Sequence, residues 1–350
     1  MNGPLWIIGC PSHLGGADTE LWDTMQLWRS YNVPLRLTPT WTIPDEWRRK
    51  CQDIGVEIVS VPNPQELAKR EDLEGATVIS YCNGEFLKIA PMFAEKHCRV
   101  IWVNCMCWVF DAEREYYKTH GPFDTYIFQS NYQKSLMLPD LAQYGVKEEQ
   151  TNVIHSPFEL NSFPFGPRPH VAGTEFYVGR LSRPDPGKFS SNLWPIYTRV
   201  PYAQLHARVM GWDAEVEKKL GPPPPWAEVL PACAQSSQAF LSSLHAMVPI
   251  NGGCKENWPR TGLEAMAAGV PIVTQNEWGW REMVQHGKTG FLCDNDADLA
   301  YYTALLAHDE ALRLEMAQTA HDVLVTDLAN RNVIGQKWCT VLGHESDIGA

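Results

Sequence analysis

The sequence predicts an α/β protein made of two Rossmann-like, doubly wound domains that face each other across a cleft. Three observations lead there. The chain has 350 residues, enough for about two domains at roughly 150 residues each. Its first half alternates short apolar runs with amphipathic stretches, the pattern of a parallel sheet covered by helices. After a segment holding Pro157, Pro164, Gly166, Pro167 and Pro169, a second alternating block begins. That segment reads as a linker. The expected division is 1–165, then 166–335, with 336–350 as a tail packing back on the first domain.

The elements follow in order. Leu5–Gly9 is a short apolar run leading into Gly15-Gly16. Leu21, Met25 and Trp28 fall at helical spacing. Pro34–Thr38 and Val56–Val61 read as strands around a helix, Glu46–Ile54, that Gly55 closes. Thr77–Tyr81, Val100–Asn104 and Asp124–Gln129 read as strands, and Phe86–Lys96 as a helix. Glu66–Lys69 is too polar to assign. In the second block, Thr174–Val178 is a strand with a loop opening at Gly179-Arg180-Leu181-Ser182. Tyr202–Val209, Leu244–Pro249 and Val270–Thr274 are further strands. Four prolines, Pro222 to Pro225, make a stiff connection. Thr261–Ala268, Ala297–Leu306 and Glu310–Leu324 are helical. No fixed repeat of 20 to 50 residues occurs.

Composition narrows the function classes. Hydrophobic residues are 44% and charged residues 20%, which excludes wholesale disorder. Lys and Arg number 29 against 41 Asp and Glu, a net charge of −12. An acidic surface argues against nucleic acid as a partner, because backbone phosphates need a basic face. No apolar stretch reaches the ~18 residues of a membrane span, and the N-terminus lacks the basic leader of a signal peptide. The ten scattered cysteines form no C-x-x-C pair. Free thiols in a reducing cytoplasm are expected. No H-x-x-x-H spacing suggests zinc, and no G-x-S-x-G elbow suggests a serine hydrolase. Asp294-Asn295-Asp296 could hold a divalent metal, but its place before a helix favours a capping role.

The sharpest stretch runs from Glu256 through Asn257-Trp258-Pro259-Arg260-Thr261-Gly262-Leu263-Glu264 to Ala265-Met266-Ala267-Ala268-Gly269-Val270-Pro271. It places two carboxylates on either side of a loop-to-helix junction. The amides of Thr261, Gly262 and Leu263 lie at the helix start, where N–H groups and the dipole suit a phosphate. Each carboxylate can accept hydrogen bonds from vicinal hydroxyls.

This stretch resembles the donor-site signature of retaining glycosyltransferases of family 4, which have the two-domain GT-B fold. Gly279-Trp280-Arg281-Glu282 and Gly287-Lys288-Thr289-Gly290 resemble its continuation. Val178-Gly179-Arg180-Leu181-Ser182 with Lys188 resembles the strand and loop that offer a basic pair to the diphosphate, and Gly15-Gly16 resembles the first glycine-rich loop. The resemblance implies a retaining transferase that moves a hexose from a nucleotide diphosphate sugar to an acceptor hydroxyl, with the acceptor unidentified. It implies that Glu256 holds hydroxyls of the transferred sugar and Glu264 the ribose diol. Arg180 and Lys188 would neutralise the leaving diphosphate, Gly15 and Gly16 would let backbone approach it, and Thr261, Gly262 and Leu263 would donate amides. With those groups neutralising the diphosphate, neither a metal nor another cofactor is required. Three positions depart from the pattern. Pro259 stands where the signature has glycine, Lys188 follows Arg180 by eight residues, and no histidine, His13 included, aligns with the one many members carry. Two other readings fit the same residues: an inactive sugar-nucleotide-binding partner protein and a nucleotide-sugar epimerase.

Overall fold

The computed structural model describes residues 3–11 and 16–344. It divides into two compact units, Met1–Phe158 with Asn330–Ala350, and Glu159–Ala329.

The first unit runs β1 (Leu5–Ile8), α1 (Gly16–Ser30), β2 (Leu35–Thr38), α2 (Asp45–Asp53), β3 (Glu57–Ile58), β4 (Thr77–Tyr81), α3 (Gly84–Glu95), β5 (Arg99–Val103), α4 (Asp111–His120), β6 (Thr125–Phe128), α5 (Asn131–Ala142) and β7 (Thr151–Val153). Its seven strands lie in the order β3-β2-β1-β4-β5-β6-β7, and every pairing is parallel. β1, β5 and β6 are hydrophobic on both faces because helices cover both. Leu5, Ile7, Ile79 and Ile101 join one core with α1, while Trp6, Ile8, Val78 and Trp102 join the other with α3.

The second unit runs β8 (Phe176–Leu181), α6 (Leu193–Arg199), β9 (Leu205–Met210), α7 (Ala214–Leu220), β10 (Ala227–Leu230), α8 (Ser237–Leu241), β11 (Ala246–Met247), α9 (Arg260–Ala268), β12 (Ile272–Gln275), α10 (Trp280–Met283), β13 (Gly290–Cys293), α11 (Asp296–His308) and α12 (Glu310–Val323). Its sheet order is β10-β9-β8-β11-β12-β13, again all parallel. Both sheets therefore reverse their winding beside their first strand, the doubly wound arrangement in which ligands bind beyond the carboxyl ends of the strands. The last helix, α13 (Arg331–Leu342), follows Ala329 and belongs to the first unit.

One sequence expectation changes here. β8 does not open into a loop at Gly179 but continues through Arg180 and Leu181, paired with Val209 and Met210. A Cβ at Gly179 would sit 2.3 Å from the Arg208 carbonyl oxygen, so the glycine admits close packing within the sheet and does not end it. The strand expected over Leu244–Pro249 is regular only at Ala246–Met247. No helix among the described residues is long and apolar enough to cross a membrane.

Candidate functional site in the second unit

The site begins where β8 and β11 end. Beyond β8 the chain makes a short turn, Pro186–Lys188, held by the Asp185 carboxylate accepting from the Gly187 amide at 2.8 Å. Beyond β11 it runs extended past Ile250. These two stretches pair antiparallel. Ser190 N–H donates to Ile250 O, Gly252 N–H to Lys188 O and Cys254 N–H to Gly187 O, each at 3.2 Å. The pairing needs Gly252, because a Cβ there would meet the Phe189 oxygen at 2.2 Å. Gln275 of β12 clamps the same stretch, accepting from Asn251 N–H at 2.8 Å and donating to Asn251 O at 3.3 Å.

That pairing brings together two residues 68 apart in sequence. Lys188 Nζ donates to Glu256 Oε1 at 2.8 Å, with the two side chains 18% and 24% exposed. Arg180 lies beneath them, 3% exposed. Its Nη1 donates to Ile250 O at 2.6 Å and its guanidinium stacks on Phe189 at 4.1 Å. Burial pulls its pKa down to about 10, against the favourable pull of nearby Tyr197 and Glu256, so it stays charged at neutral pH. Its Nε is buried with no hydrogen-bond partner among the described residues.

The loop after Glu256 enters α9 at Pro259. This cap makes no side-chain hydrogen bond, and the first turn of α9 holds no acidic residue. Its positive end is thus left uncompensated within the helix. Glu264 is buried one turn further on, with Arg260 Nε 3.6 Å from its Oε1. The Gly262 amide is taken, donating to Pro259 O at 2.8 Å. Leu263, fourth in the helix, falls where intrahelical bonding begins. Of the three amides expected as donors, only that of Thr261 keeps the position of an open one. Gly262 has a packing role instead: a Cβ there would lie 2.4 Å from Met283 Sδ and 2.8 Å from the Trp280 ring. Trp258 is buried, 5% exposed.

Lys188, Glu256, Arg180 and the α9 turn with Thr261 and Glu264 therefore share one end of one sheet. Gly16 belongs to the first unit and begins α1; Gly15 and His13 lie outside the described residues. Asn295 accepts from Asp298 N–H at 3.0 Å and caps α11, so the acidic triplet serves a helix start. Sequence reasoning missed Gly252, and it named Gly279 and Arg260 only as parts of a resembling stretch, without the contacts they make. Gly279 N–H donates to Glu256 O at 2.9 Å, and a Cβ on it would collide with Asn257 O at 1.9 Å. The Gly252-Gly253 doublet was the visible signal for the first of these.

Residues 225–323 match the family described as "Glycosyl transferases group 1". N-acetyl-alpha-D-glucosaminyl L-malate synthase of Bacillus anthracis is 32% identical over 84 residues, which are 23% of this chain and 22% of that protein. The match thus spans about a fifth of that relative. Among solved structures, Anabaena HepE in complex with UDP superposes with a TM-score of 0.76 at 17% identity, over 97% of this chain and all (100%) of that one. HepE in complex with UDP-glucose gives 0.75, also at 17% identity, over 97% and 99%. A variant of S. aureus TarM in complex with fondaparinux, alpha-GlcNAc-glycerol and UDP gives 0.72 at 11% identity, over 98% and 100%. The chain thus has the GT-B fold of two Rossmann-like units, and its second unit carries the segment, residues 225–323, that matches the group 1 glycosyl transferases.

Proposed function

We propose that this chain is a retaining glycosyltransferase of the family 4 type, moving a hexose from a nucleotide diphosphate sugar to an acceptor hydroxyl. The observation that carries the reading is the Lys188–Glu256 pair at 2.8 Å, set at the carboxyl edge of the sheet beside the uncapped start of α9. A diphosphate finds there a cation, a helix N-terminus and two carboxylates to grip the rings on either side. Neighbouring structures that hold UDP and UDP-glucose make UDP-glucose the first donor to test.

In this reading Lys188 turns from Glu256 to the leaving diphosphate, whose charge grows as the bond to the sugar breaks. Buried Arg180 lends its field from below, and the Thr261 amide adds a donor. Glu256 holds hydroxyls of the hexose and Glu264 the ribose diol. The acceptor oxygen bonds to the anomeric carbon on the face that the phosphate leaves, and the departing phosphate oxygen takes the acceptor's proton. Configuration is retained without a protein nucleophile. These groups supply the neutralisation, so neither metal nor cofactor is required. The ten scattered cysteines without a C-x-x-C pair support a cytoplasmic location.

The test is donor turnover with UDP-glucose, in buffer containing excess chelator, read by release of UDP and by NMR of the product anomer. Lys188→Ala should slow turnover by about 10²-fold, the order of a lost transition-state charge contact. Glu264→Ala should weaken binding of free UDP, while Glu256→Ala should spare it and slow transfer; the reverse pattern would exchange the two roles. Activity abolished by chelator refutes the metal-free mechanism. Tight binding of UDP-glucose with neither transfer nor hydrolysis would make the chain a sugar-nucleotide-binding protein instead.

A further inference from the structure

Two thiols meet at the carboxyl ends of neighbouring strands in the first unit, far in sequence from every residue used above. β4 and β5 pair in parallel with Tyr81 opposite Val103. Cys82 is the first residue after β4 and Cys105 the second after β5. Both sulfurs turn to one oxygen: Cys82 Sγ is 3.2 Å from the Val103 carbonyl and Cys105 Sγ is 3.7 Å from it. The Cys105 amide donates to Cys82 Sγ at 3.0 Å. A main-chain amide of one residue on the sulfur of the other sets the two side by side, the neighbourhood a disulfide needs. Both residues are half-buried, and the peroxide has to reach only Cys82. Cys82 also holds φ at 43°, a left-handed backbone uncommon for any residue but glycine.

We propose that Cys82 and Cys105 are a redox pair that closes to a reversible disulfide when the protein meets a peroxide. The Cys105 amide donates to the Cys82 sulfur, and Cys82 is the attacking group. Cys105 is the resolving thiol. Its hydrogen bond to Cys82, its burial and the charges of Glu20 and Asp18 push its pKa well above the usual thiol value, so it keeps its proton until the second step. In the first step the Cys82 thiolate attacks one peroxide oxygen. The S–O bond forms, the O–O bond breaks, and the leaving hydroxide takes a proton to become water. In the second step the Cys105 sulfur attacks the sulfenic sulfur. The S–S bond forms, the S–O bond breaks, and hydroxide leaves with the Cys105 proton as a second water. Two thiols are oxidised and one peroxide is reduced to two waters. A dithiol reductant reverses the change by exchange.

The bridge would tie two loops that already hold other partners. Asn83 donates to Thr40 Oγ1 at 2.8 Å, and Gln133 Nε2 donates to the Asn104 and Met106 carbonyls at 2.9 and 2.7 Å. The test uses the full chain treated with hydrogen peroxide, quenched with catalase, alkylated in denaturant and mapped without reduction. Two of the ten thiols should become unavailable to alkylation, in one cross-linked peptide pair joining Cys82 to Cys105, and dithiothreitol should restore both. Cys105→Ser should give no bridge and leave a Cys82 sulfenic acid that dimedone captures. Cys82→Gly, which suits the left-handed backbone and so should fold, should give no bridge either. A map in which Cys82 and Cys105 stay alkylated while exposed Cys233 is oxidised overturns the proposal, as does a bridge from Cys105 to Cys107. The outcome is independent of whether the chain transfers sugar.

Discussion

Lys188 and Glu256 contribute little to stability as a pair. Their side chains are 18% and 24% exposed, and for a partly buried pair desolvation offsets much of the Coulomb gain. Their contact is therefore cheap to exchange for a ligand, whereas Arg180, buried and bonded to Ile250 O, is committed to its place. A different buried charge sets a pH dependence. Glu113 is 1% exposed at the third position of α4, and it reaches back to the Phe110 amide as an N-terminal glutamate does. Burial raises its pKa to about 7, opposed by the Phe110 amide, the Trp102 indole and Arg114. The folded chain then keeps a proton that the unfolded chain gives up near 4.5. That stabilisation is complete below the unfolded value and is lost as pH rises through about 7. Glu113→Gln should be more stable than wild type above neutral pH, by on the order of 3 kcal/mol, read as a higher melting temperature, and should match wild type near pH 4. An identical pH profile in the two proteins would refute this. At this scale the sequence was partly legible. The basic pair and both glutamates were visible as residue types, but the ion pair joins positions 188 and 256, and only the pairing of their two loops brings them together. Glu113 gave no signal, because burial is a tertiary property.

The elements that shape the site depend on three glycines with ordinary or near-ordinary φ, so space and not backbone freedom requires them. Gly252 admits the Phe189 carbonyl, Gly279 admits Asn257, and Gly262 lets α9 rest on Trp280 and Met283. Gly279→Ala and Gly252→Ala should both be more damaging than Gly262→Ala, because their Cβ atoms would meet backbone, which cannot rotate away as a side chain can, and Gly279 has the tighter clash, 1.9 Å from Asn257 O. Overpacking costs typically about 1–3 kcal/mol. The displaced segment is the one that carries Glu256, so UDP-glucose turnover should fall more than binding of free UDP, measured by kinetics and calorimetry. Unchanged turnover would mean the loop is not part of the site. Long, strongly periodic elements were readable: β4 at Thr77–Tyr81 coincides with its expected span, and α9, α11 and α12 lie within two residues of theirs. Other elements were hidden for local reasons. α5 contains Pro139, β10 is a half-exposed edge strand, and α4 is polar except where it meets the core. Gly179 looked like a loop opening because a glycine in a strand reads as a breaker until the neighbouring carbonyl is seen.

At the scale of the whole molecule, the chain builds the first unit, then the second, and finally returns. α13 buries Ile334, Trp338, Val341 and Leu342 in the core beneath β1 and β5. Trp338 meets Trp28 edge-on at 5.0 Å, Arg99 Nη1 donates to Val341 O at 2.6 Å, and Gly335 lies against the Tyr31 ring, where a Cβ would come within 2.2 Å. The first unit is therefore incomplete until the last helix has been made, although its first strand is at the other end of the chain. Each unit has its own cores, so thermal unfolding should resolve into two transitions. Trp338→Ala removes a side chain only 2% exposed and should cost about 3–5 kcal/mol. That loss should fall on the first unit's transition alone. If the proposed donor site lies wholly in the second unit, added UDP should raise only that unit's transition, by mass action on the folded form, and should do so equally in wild type and variant. Calorimetric scans with and without UDP separate the possibilities. If the substitution lowered UDP affinity as well, the nucleotide site would not be confined to the second unit, and the assignment of donor binding to Lys188, Glu256 and Glu264 would have to be widened.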